Sequence, residues 1–166
     1  MKKTMLRMVL LTTLVLSGAG CSASAWQNFK NDPVAQLQSD FTYVSNALGI
    51  AQSIWGALSP LLSTVVVNGQ PIEATADLVF SQAVTTLQHT LKVGQDALAS
   101  AVAAGLPQPD LNAIFAPIAD ALAQVEAVIA QYAGYAHGSG LKGAGPSSSA
   151  LADLHESVQH VKALKF

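Results

Sequence analysis

One unbroken apolar pattern constrains this fold more than any other feature of the sequence. Ten apolar residues follow one another at alternating spacings of three and four: Val34, Leu37, Phe41, Val44, Leu48, Ala51, Trp55, Leu58, Leu62 and Val65. This spacing places all of them on one face of an α-helix. It predicts one long helix that begins at Pro33, with Asp32 as its N-cap. Pro60 is expected to kink this helix because proline removes a backbone hydrogen bond.

A second apolar row lies beside the first in the later half of the same helix. Its members are Ala47, Ile50, Ile54, Ala57 and Leu61. Two adjacent rows make a wide apolar surface, so we expect this half of the helix to be covered on two sides.

Two more long helices follow. Asn68-Gly69, after three valines, marks a turn, and the second helix is expected from about Pro71 to Ala104. Its apolar stripe is Ala76, Phe80, Ala83, Leu87, Leu91, Gly94, Leu98 and Ala101. The third helix is expected from Asp110 to about Ala136, with a bend at Pro117. Its inward stripe is Ile114, Ile118, Leu122, Val125, Ile129 and Tyr132, and a strip of Ala119, Ala123 and Ala127 suits a closely packed neighbouring helix.

The last part of the chain changes composition. Residues 137–148 are rich in glycine and serine and are predicted to form a flexible linker. An amphipathic helix is expected over residues 149–166, with Leu151, Leu154, Val158 and Val161 on one face. The predicted class is all-α: an antiparallel three-helix bundle over residues 33–136, then the linker and a shorter fourth helix. Whether the fourth helix docks stays open.

The N-terminus has the layout of a secretion signal. Lys2, Lys3 and Arg7 precede an apolar run over residues 8–16, and small residues follow. The run is too short to span a membrane, which takes roughly 20 residues. Residues 1–20 are therefore predicted to be a signal peptide.

Gly18-Ala19-Gly20-Cys21 resembles the lipobox of bacterial lipoproteins. The resemblance implies cleavage before Cys21, a diacylglycerol on its sulfur, an added acyl group such as palmitate, and residues 21–32 as a tether. With Ser22 next, it also implies an outer-membrane location facing the periplasm. The alternative is ordinary cleavage after Ala25, since Ala23-Ser24-Ala25 fits signal peptidase. That cleavage leaves a soluble periplasmic or secreted protein.

Charge limits the partners of the mature chain. Ten acidic and five basic residues follow Cys21, a net charge of −5, and Lys92 is the only lysine or arginine between Pro33 and His137. Such a surface repels phosphate backbones, so no nucleic-acid partner is expected. Only 11% of residues are charged, against about 25% in typical domains. Some helix surface is therefore expected to meet a protein partner or a membrane.

Motifs for chemistry are weak. Gly138 to Gly143 spells GxGxxG, but a predicted helix precedes it, which favours a linker over a nucleotide site. His155 and His160 are five residues apart and do not converge on one helix face, whereas Glu156 and His160 fit a surface pair. We therefore expect no metal, no cofactor and no enzymatic activity.

Three functional hypotheses remain. The preferred one is a non-enzymatic, lipid-anchored envelope protein that acts as a helical scaffold or binds a partner. The second is a carrier of an apolar ligand, with Gly49, Gly56, Ala83 and Gly94 leaving space between helices. The third is a membrane-active protein, pore-forming or lysis-related, that uses residues 41–72, which contain no charge.

Overall fold

The computed structural model describes residues 33–104, 111–138 and 146–164, with side chains from residue 37 onward. Within these ranges the elements are helix α1 (Pro33–Leu62), strands β1 (Val66–Val67) and β2 (Gln70–Pro71), and helices α2 (Glu73–Ala103), α3 (Leu111–Gly138) and α4 (Ser148–Ala163). The all-α class is confirmed. The predicted signal peptide, residues 1–20, and tether, residues 21–32, lie outside the described residues, as does most of the linker.

The chain divides into two units, residues 1–46 and 47–166, and the division falls inside α1. In the first unit, Leu37, Phe41 and Val44 are buried, as the apolar stripe predicts. Asp40 is also buried, with 3% of its surface exposed. The sequence pattern alone did not predict a carboxylate in the interior.

In the second unit the remaining stripe is buried, from Leu48 to Leu62 in α1 and at Val65 just after the helix. The second apolar row is covered only in part, which corrects the expectation of two covered sides. Ala47 and Ile54 are buried, Ile50 and Leu61 are half-buried, and Ala57 is exposed. On an ideal helix Ala47 and Ile54 lie at the edge of the buried stripe, about 60–80° from its centre, whereas Ala57 lies about 140° from that centre.

The C-terminus of α1 is closed by two hydroxyl side chains. Pro60 lies two residues before the helix end, and Ser63 Oγ donates to its carbonyl oxygen at 2.7 Å. Thr64 donates to the carbonyl of Leu61 through both its N–H, at 3.2 Å, and its Oγ1, at 2.8 Å. These bonds satisfy carbonyls that helix geometry leaves without partners, so the helix stops there.

A two-stranded antiparallel hairpin follows α1. Asn68 has φ 53° and Gly69 has φ 80°, the pair of left-handed conformations of a type I′ turn. The predicted turn is confirmed, but the strands around it were not predicted. Pro71 belongs to β2, so α2 begins two residues later than expected, at Glu73.

Helices α2 and α3 pack directly against each other. The predicted stripe of α2 is buried throughout, and on α3 the predicted residues from Ile118 to Tyr132 are buried, with Ile114 half-buried. The three alanines were expected to face a closely packed helix, and this is wrong for the last of them. Ala119 is buried, Ala123 is half-buried and Ala127 is exposed. Each i,i+4 step advances about 40° around a helix, so eight residues carry the strip out of the interface.

Helix α4 packs against α3. Ser147 is its N-cap, and its hydroxyl accepts a hydrogen bond from the Ala150 N–H at 3.2 Å. Leu154, Val158 and Val161 are buried, as predicted, and Leu151 is half-buried. The question left open by the sequence is answered for α4, which docks on α3.

Candidate functional site

Cys21, the predicted lipidation site, lies outside the described residues. Its role and that of the tether therefore remain predictions. The described residues direct attention to the end of the second unit that carries the hairpin.

Trp55 lies at the centre of an aromatic cluster at this end. Its indole stacks on Phe80, with ring centroids 4.3 Å apart and an angle of 2° between planes. Tyr132 meets the same indole edge-on at 5.7 Å. One residue each from α1, α2 and α3 therefore meets at a single aromatic centre, which fixes the local spacing of the three helices.

Asp77 completes this cluster with two hydrogen bonds. The indole N–H of Trp55 and the hydroxyl of Ser59 both donate to its Oδ1, each at 2.8 Å. Trp55 is 7% exposed, so its N–H needs a protein partner. The carboxylate thus links α1 to α2.

An open groove lies beside the cluster, between the hairpin and the C-terminal part of α3. Its volume is about 270 Å³. It is lined by Val67, Gln70, Pro71, Ile72, Thr75, Gln131, Tyr132 and Tyr135. None of these eight side chains carries a charge, and Tyr135 is 43% exposed although its ring centroid lies 5.9 Å from that of Tyr132. We call this surface the hairpin groove. Its mixture of apolar, aromatic and amide groups suits binding rather than acid–base catalysis.

A second groove, also of about 270 Å³, lies between the start of α3 and the end of α4. Asp120 and Lys162 stand among its lining residues, and its floor includes Phe115 and Val161, each 2% exposed. It is a shallow seam between two packed helices.

The histidines occupy separate positions. His155 Nδ1 lies 2.6 Å from Glu126 Oε1, so a proton on Nδ1 joins α4 to α3. Burial lowers the pKa of His160 below its ordinary value of 6.5, and the Glu156 carboxylate acts in the opposite direction. In the described part of the chain, no three histidine, cysteine or carboxylate side chains converge as metal ligands do.

One premise of the sequence hypotheses changes in this fold. Gly49 and Gly56 are exposed with open space around them, so they leave no gap between helices. The uncharged segment 41–72 comprises the later part of α1, which ends at Leu62, and the hairpin. By length and composition, one helix of the described ranges, Leu111–Gly138, is apolar enough to cross a membrane. Its apolar stripe is buried, as in the core helix of a globular protein.

Sequence reasoning missed the contacts that define this end of the molecule. Trp55 and Asp77 are 22 residues apart, and Glu126 and His155 are 29 apart, so helical periodicity relates neither pair. Trp55 in the apolar stripe could have indicated one of these contacts, because a buried indole N–H requires a hydrogen-bond acceptor.

No protein family, no curated protein and no solved structure matches this chain.

Proposed function

We propose that this chain is a non-enzymatic, lipid-anchored cell-envelope protein whose helical body binds a protein partner. The observation that carries the proposal is the hairpin groove. It is open, free of charged side chains and backed by a stacked aromatic cluster. A preformed apolar and aromatic surface of this kind favours a protein partner, because aromatic anchors dominate protein interfaces.

The proposed anchor is Cys21, held in the outer membrane and facing the periplasm. Residues 22–32 then tether the body to the lipid. Eleven residues reach at most about 36–40 Å when fully extended, so the partner lies close to the membrane surface.

We further propose that the long helices form an antiparallel bundle, to which α4 adds as a fourth element. Direct packing of α2 on α3 and of α3 on α4 supports this arrangement. A bundle of this type is a scaffold, and its specificity resides in the surface at its ends.

The anchor is tested by the intact mass of the mature protein from membrane and soluble fractions. The expected mass starts at Cys21 and includes diacylglycerol and an acyl group. A mass that starts at Trp26 without lipid would refute the anchor and leave a soluble envelope protein.

The binding surface is tested by a photo-reactive residue at position 135. In cells, cross-linking from Tyr135 is expected to give one discrete adduct, whereas the same residue at Val93, exposed on α2, is expected to give none. Equal labelling from both positions would refute a partner at the hairpin groove.

A membrane-active role is the second candidate, and it would use α3, which is long and apolar enough to cross a membrane. Ala127 is exposed in the middle of α3, so Ala127→Lys preserves the fold but opposes insertion of this helix into lipid. A membrane-active protein would release dye from vesicles, and Ala127→Lys would abolish the release. Thr85→Lys, at an exposed site on α2, is the matched control.

A further inference from the structure

The hairpin has two strand edges with different hydrogen-bonding capacity. Val66 pairs with Pro71 and Val67 with Gln70. The Ile72 N–H donates to the Val65 carbonyl at 3.1 Å, so the hydrogen-bonded pairs lie on either side of Val66 and Pro71. The N–H and C=O of Val66 therefore point away from β2.

Only the β1 edge is open. Pro71 has no N–H, and proline on an edge strand blocks the addition of another strand. Val66 has both a donor and an acceptor, and 61% of its surface is exposed. Charged side chains commonly protect such edges, yet none occurs between Asp40 and Glu73.

We propose that β1 pairs with β1 of a second copy of this chain, antiparallel and centred on Val66. Each Val66 N–H then donates to the C=O of the other Val66, which is the self-complementary pattern that a two-fold axis requires. Although the chain is acidic, the contact sets no like charges opposite each other, because the whole segment is uncharged.

The usable part of this edge is a single residue, Val66. On one side, the Thr64 N–H is already bonded to the Leu61 carbonyl. On the other side, Asn68 is in the left-handed conformation of the turn. One donor and one acceptor on the same residue remain, and a second copy related by a two-fold axis presents the complementary acceptor and donor. The pairing does not require the lipid anchor, although confinement to a membrane raises the effective concentration of the partners.

Disulfide trapping in the full chain tests the register. Val66→Cys places two cysteines at a hydrogen-bonded pair, where Cα atoms lie about 5.5 Å apart, within disulfide range. Val67→Cys is the control on the same strand, because two copies of residue 67 lie diagonally, about 7–8 Å apart. Val93→Cys is the control for random collision, at a residue 53% exposed on α2. The parent chain shows any band that Cys21 alone produces.

On mild oxidation we expect a disulfide dimer from Val66→Cys well above the level of all three controls. A Val66→Cys yield no higher than that of Val93→Cys, or cross-linking only to a different protein, would overturn self-pairing. A yield from Val67→Cys equal to that from Val66→Cys would overturn the proposed register.

Sedimentation of the detergent-solubilised full chain gives an independent measurement. Val66→Lys is expected to remove the dimer, because it sets two like charges opposite each other at the centre of the contact. Val93→Lys is expected to leave the dimer unchanged. A wild-type chain that stays monomeric at every concentration would overturn the proposal. Neither experiment depends on whether Cys21 carries lipid, so failure of the dimer and failure of the anchor are distinguishable.

Discussion

Asp77 shows how much a single exposed carboxylate can hold together. One of its oxygens accepts both the indole N–H of Trp55 and the hydroxyl of Ser59. Without it the serine still has water, but the indole N–H is buried with nothing to bond. Asp77 therefore contributes more to stability than other acidic residues of α2.

We predict that Asp77→Ala lowers the free energy of unfolding by about 1–3 kcal/mol, the cost of an unsatisfied buried donor. The control is Asp96→Ala, which breaks only the exposed 3.1 Å pair with Lys92 and is expected to cost less than about 1 kcal/mol. Urea denaturation measures both. Equal losses would show that the Trp55 hydrogen bond adds nothing.

His160, on α4, is expected to make the stability of the fold depend on pH. Because burial lowers its pKa in the folded chain, the unfolded chain binds more protons as the pH falls from 6.5 through the lowered folded value. Stability is therefore predicted to decrease over that window, and His160→Gln is predicted to reduce the decrease. Urea midpoints at about pH 7.5 and about pH 5 measure the effect. His89→Gln, at an exposed site on α2, is the control, and an unchanged pH dependence in His160→Gln would contradict the prediction.

At the scale of elements, local pattern predicted the helices but not the hairpin. An apolar stripe is recognised from the spacing of residues within one helix. The buried faces of α1, α2 and α4 therefore follow directly from the sequence. The strands have two residues each, too short to show alternation. Val65 also fits the spacing of the apolar stripe, so the stripe predicted a helix longer than α1, which ends at Leu62. The groove could not be predicted, because it forms where the hairpin folds next to α3.

The same substitution is predicted to have opposite effects in two elements. Gly69 adopts φ 80° in the hairpin turn, so Gly69→Ala strains the backbone and lowers stability, by about 1 kcal/mol or more. Gly56 is exposed in α1 with nothing within 4 Å of an added Cβ, so Gly56→Ala raises stability by up to about 1 kcal/mol. Urea midpoints of the two variants should move in opposite directions. A higher midpoint in Gly69→Ala would show that the turn is not in this conformation, and a lower midpoint in Gly56→Ala would contradict the prediction for α1.

Docking of α4 is predicted to depend on Leu154, which is 1% exposed. Leu154→Ala is expected to cost about 2–5 kcal/mol and to speed amide hydrogen exchange mainly in α4. Leu78→Ala, at a residue 59% exposed on α2, should change neither quantity appreciably. If exchange in α4 stays slow in the Leu154 variant, another contact holds this helix.

At the scale of the whole molecule, the localisation of the chain and the fold of its helical body depend on different residues. The anchor is predicted from four residues, Gly18 to Cys21, whereas the body depends on apolar stripes distributed over more than a hundred residues. A change at Cys21 should therefore alter location without altering the fold.

We predict that Cys21→Ser moves the protein from the membrane fraction to the soluble fraction or stalls its processing, while circular dichroism keeps the helical signature. Ser22→Ala is the matched control and should remain at the membrane. A Cys21→Ser protein still found in washed membranes, with its leader removed, would indicate that the body itself holds the membrane.

The stacked indole of Trp55 also makes the chain its own optical probe. The sequence contains two tryptophans, Trp26 and Trp55. With Trp26 replaced by phenylalanine, all remaining indole emission comes from a ring that lies against Phe80 and within 5.7 Å of Tyr132. Opening of the hairpin end would expose that ring to water and shift its emission to longer wavelengths. Such opening could be followed with the purified chain in vesicles without any added label.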